Sequence, residues 1–580
     1  MKLSKIFLFL TVILSASVMQ VESKTVKFKI IETSDVHGNF YPYDFINRRE
    51  NKGSLARVHS LVEQARKEVG NDKIILVENG DILQGQPTAY YYNFIDTVSP
   101  HVGAEMLDFM GYNMATLGNH DIETGHSVYD RWIKQLPFPV LGANIIDKST
   151  REPYVDPYTV VDVDGVKVAF LGMITPGIPG WLPETLWKNL EFADMVETAQ
   201  KWVPVIKEKE NPHIIVGLFH AGRDSTKSVA NVVENQSMMV ARNVPGFDIV
   251  LMGHDHSVYL DFIENIEGKD VLLANPSNNA NKVVVIDVEL EIDENGEIGN
   301  LRLKGNVKTT ADYEPSPEFM DKFAPQKKAV EDFVNREIGF LTDSMTTRDA
   351  YFGPSAFIDF IHQMQLDISG AQISMAAPLT FDATLASGPI TVADMFNLYK
   401  YENMLYTMSL TGQEIKDYLE KSYEIWTNTM ENENDHLLRF RDTKSSDMTH
   451  TGFAYPSYNF DSAAGIIYTV DVTKPVGEKV TVVSMADGSA FDPKATYTVA
   501  INSYRGNGGG NLLTEGSGID KEDLASRIIT STDKDLRYYL MKYIEEQGKV
   551  TPKKLNQWKF VPEEIAGPAA ERDKKLLFGK

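Results

Sequence analysis

The stretch from Lys27 to Gly38 reads KFKIIETSDVHG and decides the fold of the first half of the chain. Its apolar, β-branched beginning predicts a strand over Lys27–Thr33, and a polar cluster follows directly after that strand. Similar apolar runs recur at Lys73–Glu78, Met114–Leu117, Val166–Ile174, His213–Phe219 and Asp248–Met252. Because Leu61–Val69 has helical spacing between the first two runs, the alternation predicts an α/β domain over residues 24–313. Two closely spaced later runs, Asp270–Ala274 and Lys282–Leu290, are expected to be antiparallel strands.

Polar clusters follow five of these predicted strands. They are Asp35-Val36-His37-Gly38, Gly80-Asp81, Gly118-Asn119-His120-Asp121, Phe219-His220-Ala221-Gly222 and Gly253-His254-Asp255-His256. Taken singly, each has an ordinary explanation as a cap or a turn. Ligands of α/β sheets bind beyond the carboxyl ends of the strands, so five such clusters can converge on one site. Their convergence predicts a metal-binding site.

Composition limits the chemistry of this site. The chain has 580 residues, a formal net charge of −24 and no cysteine. A nucleic-acid-binding surface is normally basic, so we expect no nucleic-acid partner. Zinc–thiolate sites and thiol catalysis are excluded, and any metal must be bound by His, Asp, Glu or Asn.

The first residues resemble an export signal. Lys2 and Lys5 precede an apolar run from Ile6 to Val18, and small and polar residues follow near Ser23. A membrane anchor is the alternative, but the run is short for a bilayer span. We therefore predict a signal peptide over residues 1–23 and a mature protein without a stable membrane anchor, exported to the periplasm, the cell surface or the medium. We expect it to be a monomer.

The second half of the chain begins after a change in pattern. Residues 314–338 start with two prolines and continue as an amphipathic, charged segment, which predicts a helix linking two domains. A second α/β domain is expected over residues 339–560. The charged stretch over residues 561–580 is predicted to be a frayed tail.

The order D-x-H, G-D, G-N-H, a single H and G-H-x-H resembles the signature of the calcineurin-like metallophosphoesterases. This resemblance implies a sandwich of two sheets flanked by helices, with two divalent ions such as Zn²⁺ or Mn²⁺. It implies one ion held by Asp35, His37 and His256, a second held by Asn119, His220 and His254, and Asp81 bridging the two. Paired metals about 3.5–4 Å apart can activate water and stabilise the attacking and leaving oxygens of a phosphate ester.

The resemblance makes His120 a general acid or transition-state donor that is not a metal ligand. In many nucleotidase relatives, an aspartate three positions later is its partner. Glu123 occupies that position here, while Asp121 directly follows the histidine. Either carboxylate could be the partner of His120, and Asp121 could instead be a helix N-cap.

The second half resembles the nucleotidase C-terminal domain, which binds the substrate. The segments that carry this resemblance are residues 374–379 (SMAAPL), 398–403 (LYKYEN), 410–414 (LTGQE), 458–461 (YNFD) and 502–510 (NSYRGNGGG). In that family two aromatic rings sandwich the base, and the matching residues are Tyr401 and Tyr504. Stacking contributes roughly 1–3 kcal/mol per base. Asn403 could hydrogen-bond the edge of the base.

Together the two resemblances imply an enzyme that hydrolyses small nucleotides. The bifunctional 2',3'-cyclic-nucleotide 2'-phosphodiesterase/3'-nucleotidase branch is the nearest match, because Ala376-Ala377-Pro378-Leu379 lacks the glycine-rich turn and arginine typical of 5'-nucleotidases. A 5'-nucleotidase or nucleotide-sugar hydrolase on the same fold is the first alternative. A nucleotide-binding or adhesion protein with an inactive site is the second, and the complete set of ligand-type residues argues against it.

Overall fold

The computed structural model describes residues 24–224, 228–229, 232–293, 298–441 and 452–579. The predicted signal peptide, residues 1–23, lies outside these ranges. Across the described ranges, no helix combines the length and the apolar character needed to span a bilayer.

The N-terminal region contains two six-stranded sheets. The strands of the first are, in spatial order, Ile298–Thr309, Lys282–Ile292, Lys24–Thr33, Ile74–Glu78, Met114–Thr116 and Val140–Leu141. Those of the second are Val258–Glu264, Asp270–Pro276, Ile249–Met252, Ile214–His220, Val166–Ile174 and Tyr158–Val163. One hydrophobic cluster joins buried residues of both sheets, including Phe28, Ile75, Phe170 and Leu218. The sheets therefore pack face to face, and the predicted sandwich is confirmed.

Helices cover the outer faces of this sandwich. Leu55–Val69, Val102–Met110 and His126–Gln135 contribute to the core beside the first sheet, and Met195–Glu210 and Ser237–Asn243 contribute to the core beside the second. The helix at Leu55 begins where the Ser54 hydroxyl accepts a hydrogen bond from the Arg57 amide, which satisfies an otherwise unpaired donor. The short helices Pro87–Tyr90 and Asn119–Glu123 lie near the predicted site.

The two late strands are each antiparallel to a neighbouring strand, but they do not pair with each other. Asp270–Pro276 lies in the second sheet, whereas Lys282–Ile292 lies in the first, antiparallel to Lys24–Thr33. The connection between them takes the chain from one sheet to the other, and Ser277, Asn279 and Ala280 have positive φ in it. Short spacing in sequence was compatible with a hairpin, but this connection changes sheets instead.

The linker differs from the single predicted helix. It forms two helices, Pro317–Lys322 and Ala324–Val334, and the next strand already begins at Glu337. Pro325 lacks a backbone donor and lies in the first turn of the second helix, which explains the break. Phe319, Phe323 and Val330 are buried in the core of the N-terminal domain.

The second domain is built on a five-stranded sheet with strands in the order Ser462–Ala464, Ile373–Ala376, Thr496–Asn502, Met404–Thr411 and Ile528–Asp535. Two three-stranded sheets accompany it: Gly388–Thr391 with Glu337–Leu341 and Lys549–Val550, and Val480–Met485 with Ile466–Asp471 and Trp558–Val561. Its helices include Ala356–Ser369, Val392–Leu398, Gly412–Trp426, Ser503–Gly506 and Leu536–Gln547. This architecture confirms the predicted α/β class of the domain.

Smaller strand pairs complete the two domains. They are Tyr43–Asp44 with Arg49–Glu50, Ile145–Asp147 with Leu190–Phe192, Ser228–Val229 with Val232–Val233, and Met345–Thr346 with Thr384–Leu385.

The predicted frayed tail is instead a helix, Glu563–Phe578, packed on the second domain. Ala566 and Ala569 are buried in the core of that domain. The Asp573 carboxylate accepts hydrogen bonds from His436 Nδ1 at 2.5 Å and from the Leu438 amide at 3.0 Å. Small side chains along one face of this helix allow it to pack closely on the domain. The many charges lie on the opposite face, and in the sequence they suggested an exposed tail.

Candidate metal centre and nucleotide site

The five polar clusters meet at one end of the sandwich, in turns of unusual backbone conformation. Five of the predicted ligands have positive φ, between 50° and 72°: Asp35, His37, Asp81, His254 and His256. Non-glycine residues adopt this left-handed region at a cost. The sharp turns direct these side chains away from the strands and into one pocket.

Two glycines of the motifs are needed because the loops approach each other closely. A Cβ on Gly80 would lie 2.6 Å from the Gly118 amide nitrogen and 2.7 Å from His220 Nδ1. A Cβ on Gly118 would overlap the Asp81 carboxylate. These contacts explain why both G-D and G-N-H begin with glycine.

The structure brings the three residues of the first predicted ligand set together. The Nε2 atoms of His37 and His256 lie 3.0 Å apart, and His256 Nε2 lies 3.3 Å from Asp35 Oδ1. Asp35 and His37 are buried, whereas the side chain of His256 is 41% exposed. The donor atoms of all three residues lie within 4.8 Å of one another, a spacing that one ion can occupy.

The second set lies beside the first. Asn119 Oδ1 is 2.7 Å from His254 Nδ1 and 3.2 Å from His220 Nε2. Asp81 Oδ2 is 3.2 Å from His220 Nε2, yet it makes no hydrogen bond of good geometry, although it is completely buried. Donor atoms of Asp35, Asp81 and His220 also lie within 4.8 Å of one another, so this trio connects the two sets. An unsatisfied buried carboxylate oxygen at this junction fits a bridging ligand.

Three of the histidines are held by hydrogen bonds from the ring nitrogen that faces away from the pocket. His37 Nδ1 donates to the Gln84 carbonyl at 3.3 Å, His220 Nδ1 to the Asn79 carbonyl at 2.6 Å, and His254 Nε2 to Glu234 Oε1 at 3.0 Å. Each bond fixes the tautomer of the neutral imidazole, so the nitrogen that faces the pocket is the one whose lone pair would bind a metal. This is the arrangement that metal-binding histidines require. Glu234 was not predicted, because no sequence pattern links it to His254.

The electrostatics around His220 favour positive charge, whereas burial lowers the pKa of His37 to about 4. Burial by itself would lower the pKa of His220, but the carboxylates of Asp81 and Asp35 raise it to about 10. A pocket that stabilises a proton on a fully buried imidazole also stabilises a cation at the same place. The donor set, the unsatisfied Asp81 oxygen and this potential all fit divalent metal ions.

The structure pairs His120 with Glu123 and not with Asp121. His120 Nδ1 lies 2.6 Å from Glu123 Oε2, within one short helix. Burial alone would lower the pKa of His120, but the charges of Asp81 and Glu123 and this hydrogen bond raise it to about 9. The His120 ring lies 5.5 Å from the ring of His37, at the edge of the first ligand set.

Asp121 instead organises the backbone of the ligand loops. Its carboxylate accepts hydrogen bonds from four amides, those of Asp81, Ile82, Leu83 and Gly118, at 2.8–2.9 Å. The bond with Gly118 caps the helix that begins at Asn119. Asp121 therefore positions the loops of Asp81 and Asn119 and does not contact His120 through a hydrogen bond.

Three tyrosines of the second domain lie together. Tyr458 stands edge to face with both predicted base-binding rings: its ring centroid is 6.3 Å from that of Tyr401 and 6.4 Å from that of Tyr504. The interplanar angles are 84° and 86°. Asn403 is buried and follows Tyr401 by two residues in the same segment.

The tyrosines lie within electrostatic range of the metal pocket. Burial raises the pKa of Tyr401, and the other two tyrosines and Glu123 raise it further. Glu234, the partner of His254, likewise raises the pKa of Tyr458.

Two buried arginines support the loops that carry the tyrosines. Arg505 binds both oxygens of Asp461 at 3.0–3.1 Å and donates to the Tyr458 and Gly509 carbonyls. Arg537 donates to the carbonyls of Tyr399 and Lys400 and to Glu402, and its guanidinium lies 4.9 Å from the ring centre of Tyr90 in the first domain. Neither arginine was singled out from the sequence, because their partners lie far away along the chain.

Comparisons with known proteins agree with this architecture. Residues 28–258 match the calcineurin-like phosphoesterase family, and residues 337–515 match the 5'-nucleotidase C-terminal domain family. The first half of the chain therefore matches a metallophosphoesterase domain, and the second half matches a nucleotidase C-terminal domain.

Among individual proteins, the chain is similar to the 2',3'-cyclic-nucleotide 2'-phosphodiesterase/3'-nucleotidase of Haemophilus influenzae, at 29% identity over 93% of this chain and 88% of that protein. It is 27% identical to the protein of the same name from Salmonella typhimurium, over 93% of this chain and 90% of that one. A crystal structure of a candidate 5'-nucleotidase from Staphylococcus aureus shares the fold, with a TM-score of 0.74 and 24% identity over 92% of this chain and all of that one.

Proposed function

We propose that this protein is an exported, metal-dependent phosphoesterase that converts 2',3'-cyclic nucleotides to 3'-nucleotides and then to nucleosides and phosphate. One observation carries the proposal: seven ligand-type side chains meet in one pocket of the first domain, and the charges of Glu123 and Glu234 beside that pocket act on tyrosines of the second domain. Similarity to the enzymes of Haemophilus influenzae and Salmonella typhimurium supports the choice of substrate.

We assign two divalent ions, Zn²⁺ or Mn²⁺, to this pocket, since the donors are imidazole nitrogens and carboxylate or amide oxygens. Asp35, His37 and His256 would hold one ion, and Asn119, His220 and His254 the other, with Asp81 shared between them. When bound, such a pair supplies Lewis-acid polarisation of the phosphate and lowers the pKa of a nearby water.

His120 is assigned as the proton donor to the leaving oxygen. Its Nδ1–H donates to Glu123, which orients the ring and leaves Nε2–H on the side away from Glu123. A water oxygen would bond to phosphorus as the P–O2' bond of the cyclic ester breaks, and the Nε2 proton would pass to O2'. In the second reaction it would pass to O3' when the P–O3' bond breaks.

Tyr401 and Tyr504 are assigned to stack on the base, because an aromatic ring tolerates any base and excludes water from its face. With the base held in the second domain and the phosphate in the first, the distance between base and phosphate selects the substrate. A 2',3'-cyclic or 3'-phosphate and a 5'-phosphate lie on opposite sides of the ribose. They therefore cannot occupy the pocket with the base in the same place.

The first alternative, a 5'-nucleotidase or nucleotide-sugar hydrolase, would benefit from an arginine directed at the phosphate. The buried Arg505 and Arg537 are both engaged in supporting loops. Ala376 and Ala377 occupy the segment where 5'-nucleotidases typically have a glycine-rich turn and arginine, and both are buried. These observations favour the cyclic and 3'-phosphate substrates.

The experiment is a comparison of kcat/KM for 2',3'-cyclic AMP, 3'-AMP and 5'-AMP on the purified, metal-loaded protein. We expect the first two to exceed 5'-AMP by at least roughly tenfold, about 1.4 kcal/mol of differential transition-state binding. A higher value for 5'-AMP would overturn the substrate assignment while leaving the metal chemistry intact. A purified protein that retains no metal and hydrolyses none of the three would favour the inactive alternative.

A further inference from the structure

We propose that Tyr458 is a third wall of the base site and contacts the edge of the base, which makes it a specificity-determining residue. The inference rests on the proposed function, because it requires a base to stack on Tyr401 or Tyr504. Tyr458 belongs to the YNFD segment, which carries the family resemblance but has no role in the chemistry described above.

The argument begins with ring orientation. Tyr458 is nearly perpendicular to Tyr401 and to Tyr504, at 84° and 86°. A base that stacks on either ring is parallel to that ring, so it is nearly perpendicular to Tyr458 whichever ring it chooses. Tyr458 therefore faces a stacked base edge to face, which is the favourable geometry for an aromatic contact.

The position of Tyr458 is fixed by its neighbours. Its carbonyl accepts a hydrogen bond from Arg505 at 2.8 Å, and the same guanidinium binds Asp461 three residues later. On the other side, the Ser457 hydroxyl donates to the Pro378 carbonyl at 3.3 Å. These three contacts hold the loop, so the ring of Tyr458 has a fixed position. A residue that lines a binding site needs such support.

The Tyr458 hydroxyl is suited to the edge of a base. Within the part of the chain that the structure describes, no hydrogen bond of this hydroxyl is found, although the ring is half-buried. Burial, followed by the charges of Tyr504 and Glu234, raises the pKa of Tyr458 to about 12, so the hydroxyl is neutral at physiological pH. A neutral hydroxyl can both donate and accept, and the edges of all bases offer both kinds of group.

The test compares Tyr458→Ala and Tyr458→Phe with the wild-type holoenzyme on 3'-AMP, 3'-UMP and p-nitrophenyl phosphate. Tyr458→Ala should raise KM for both nucleotides about two- to tenfold, because that is the loss of affinity expected when one edge-to-face contact is removed. The kcat should be nearly unchanged. Tyr458→Phe keeps the ring and should change the ratio of KM for 3'-AMP to that for 3'-UMP. Neither variant should alter hydrolysis of p-nitrophenyl phosphate, which has no base.

Tyr455→Ala is the matched control, because Tyr455 lies in the same loop but is 40% exposed. It should leave all three substrates unaffected. Unchanged nucleotide KM in Tyr458→Ala, or equal losses on p-nitrophenyl phosphate, would overturn the assignment. If Tyr458→Ala does not fold, Tyr458→Phe is the deciding variant. An unchanged ratio of KM for 3'-AMP to KM for 3'-UMP in that variant would overturn the assignment.

The two proposals fail in different ways. If Tyr401→Ala raises nucleotide KM and Tyr458→Ala does not, the proposed function stands and the third wall is refuted. If the wild-type protein hydrolyses no nucleotide, the proposed function fails, and the role of Tyr458 fails with it.

Discussion

Removal of the Arg505 guanidinium should loosen the loops that carry the base-binding tyrosines. Arg505 is 1% exposed and binds Asp461 through two parallel hydrogen bonds. It also donates to Asn459 Oδ1 and to the carbonyls of Tyr458 and Gly509. In Arg505→Ala the Asp461 carboxylate, 4% exposed, would remain in the interior without its countercharge.

The expected cost follows from that burial. Breaking a buried ion pair by removing one partner typically costs about 3–5 kcal/mol, because the remaining charge is uncompensated. For a domain of about 150–250 residues, each kcal/mol shifts the melting temperature by about 2–4 °C. We therefore expect the unfolding transition of the second domain to fall by roughly 6–20 °C, and nucleotide KM to rise because Tyr458 and Tyr504 lose their support.

The measurement is thermal unfolding followed by circular dichroism and calorimetry, with nucleotide kinetics well below the transition. Arg348→Ala is the matched control, since Arg348 also binds a carboxylate, Asp382, through two hydrogen bonds but is 42% exposed. Exposed pairs contribute about 0–1 kcal/mol, so this variant should melt within a few degrees of wild type. Equal shifts in the two variants would refute the argument from burial.

The remaining predictions concern the site itself. Asp81→Ala should abolish turnover and lower the content of both metals, measured by elemental analysis, with the fold intact; full activity would contradict the shared-ligand assignment. His120→Ala should lower kcat and kcat/KM together while metal content stays near normal, and Glu123→Gln should act in the same direction more weakly, because a neutral acceptor orients the ring less firmly. Loss of metal from either variant would instead make His120 part of the metal site. Tyr401→Ala and Tyr504→Ala should each raise nucleotide KM and spare p-nitrophenyl phosphate; equal losses on both substrates would make these tyrosines structural.

The sequence predicted that the five polar clusters would meet, for a physical reason. Parallel strands such as Lys24–Thr33 and Ile74–Glu78 end at the same edge of a sheet, so polar residues after them must meet. The spacing of strands and polar residues along the chain was enough to predict that these residues meet, without any information about how the sheets pack. The partner of His120 could not be decided in the same way, because Asp121 and Glu123 are both near it in sequence and only the helix geometry separates them.

What the sequence did not reveal depends on contacts between distant residues. Glu234 reaches His254 from a separate loop, and Arg537 holds residues more than 130 positions earlier. The strand over Lys282–Ile292 pairs with Lys24–Thr33 and not with its predecessor, since a connection of five residues sufficed to change sheets. The local sequence pattern cannot predict these long-range contacts, because they depend on how the whole domain packs.

The left-handed turns at Asp35, His37, Asp81, His254 and His256 have a consequence for protein engineering. Each such turn costs a non-glycine residue roughly 1–2 kcal/mol. Their combined cost is comparable to the whole net stability of a typical domain, about 5–15 kcal/mol. Copying the seven side chains onto the regular strands or helices of another scaffold would therefore not reproduce this centre. A designer would have to transplant the turns themselves, together with enough of the surrounding sandwich to hold their backbone in the left-handed conformation.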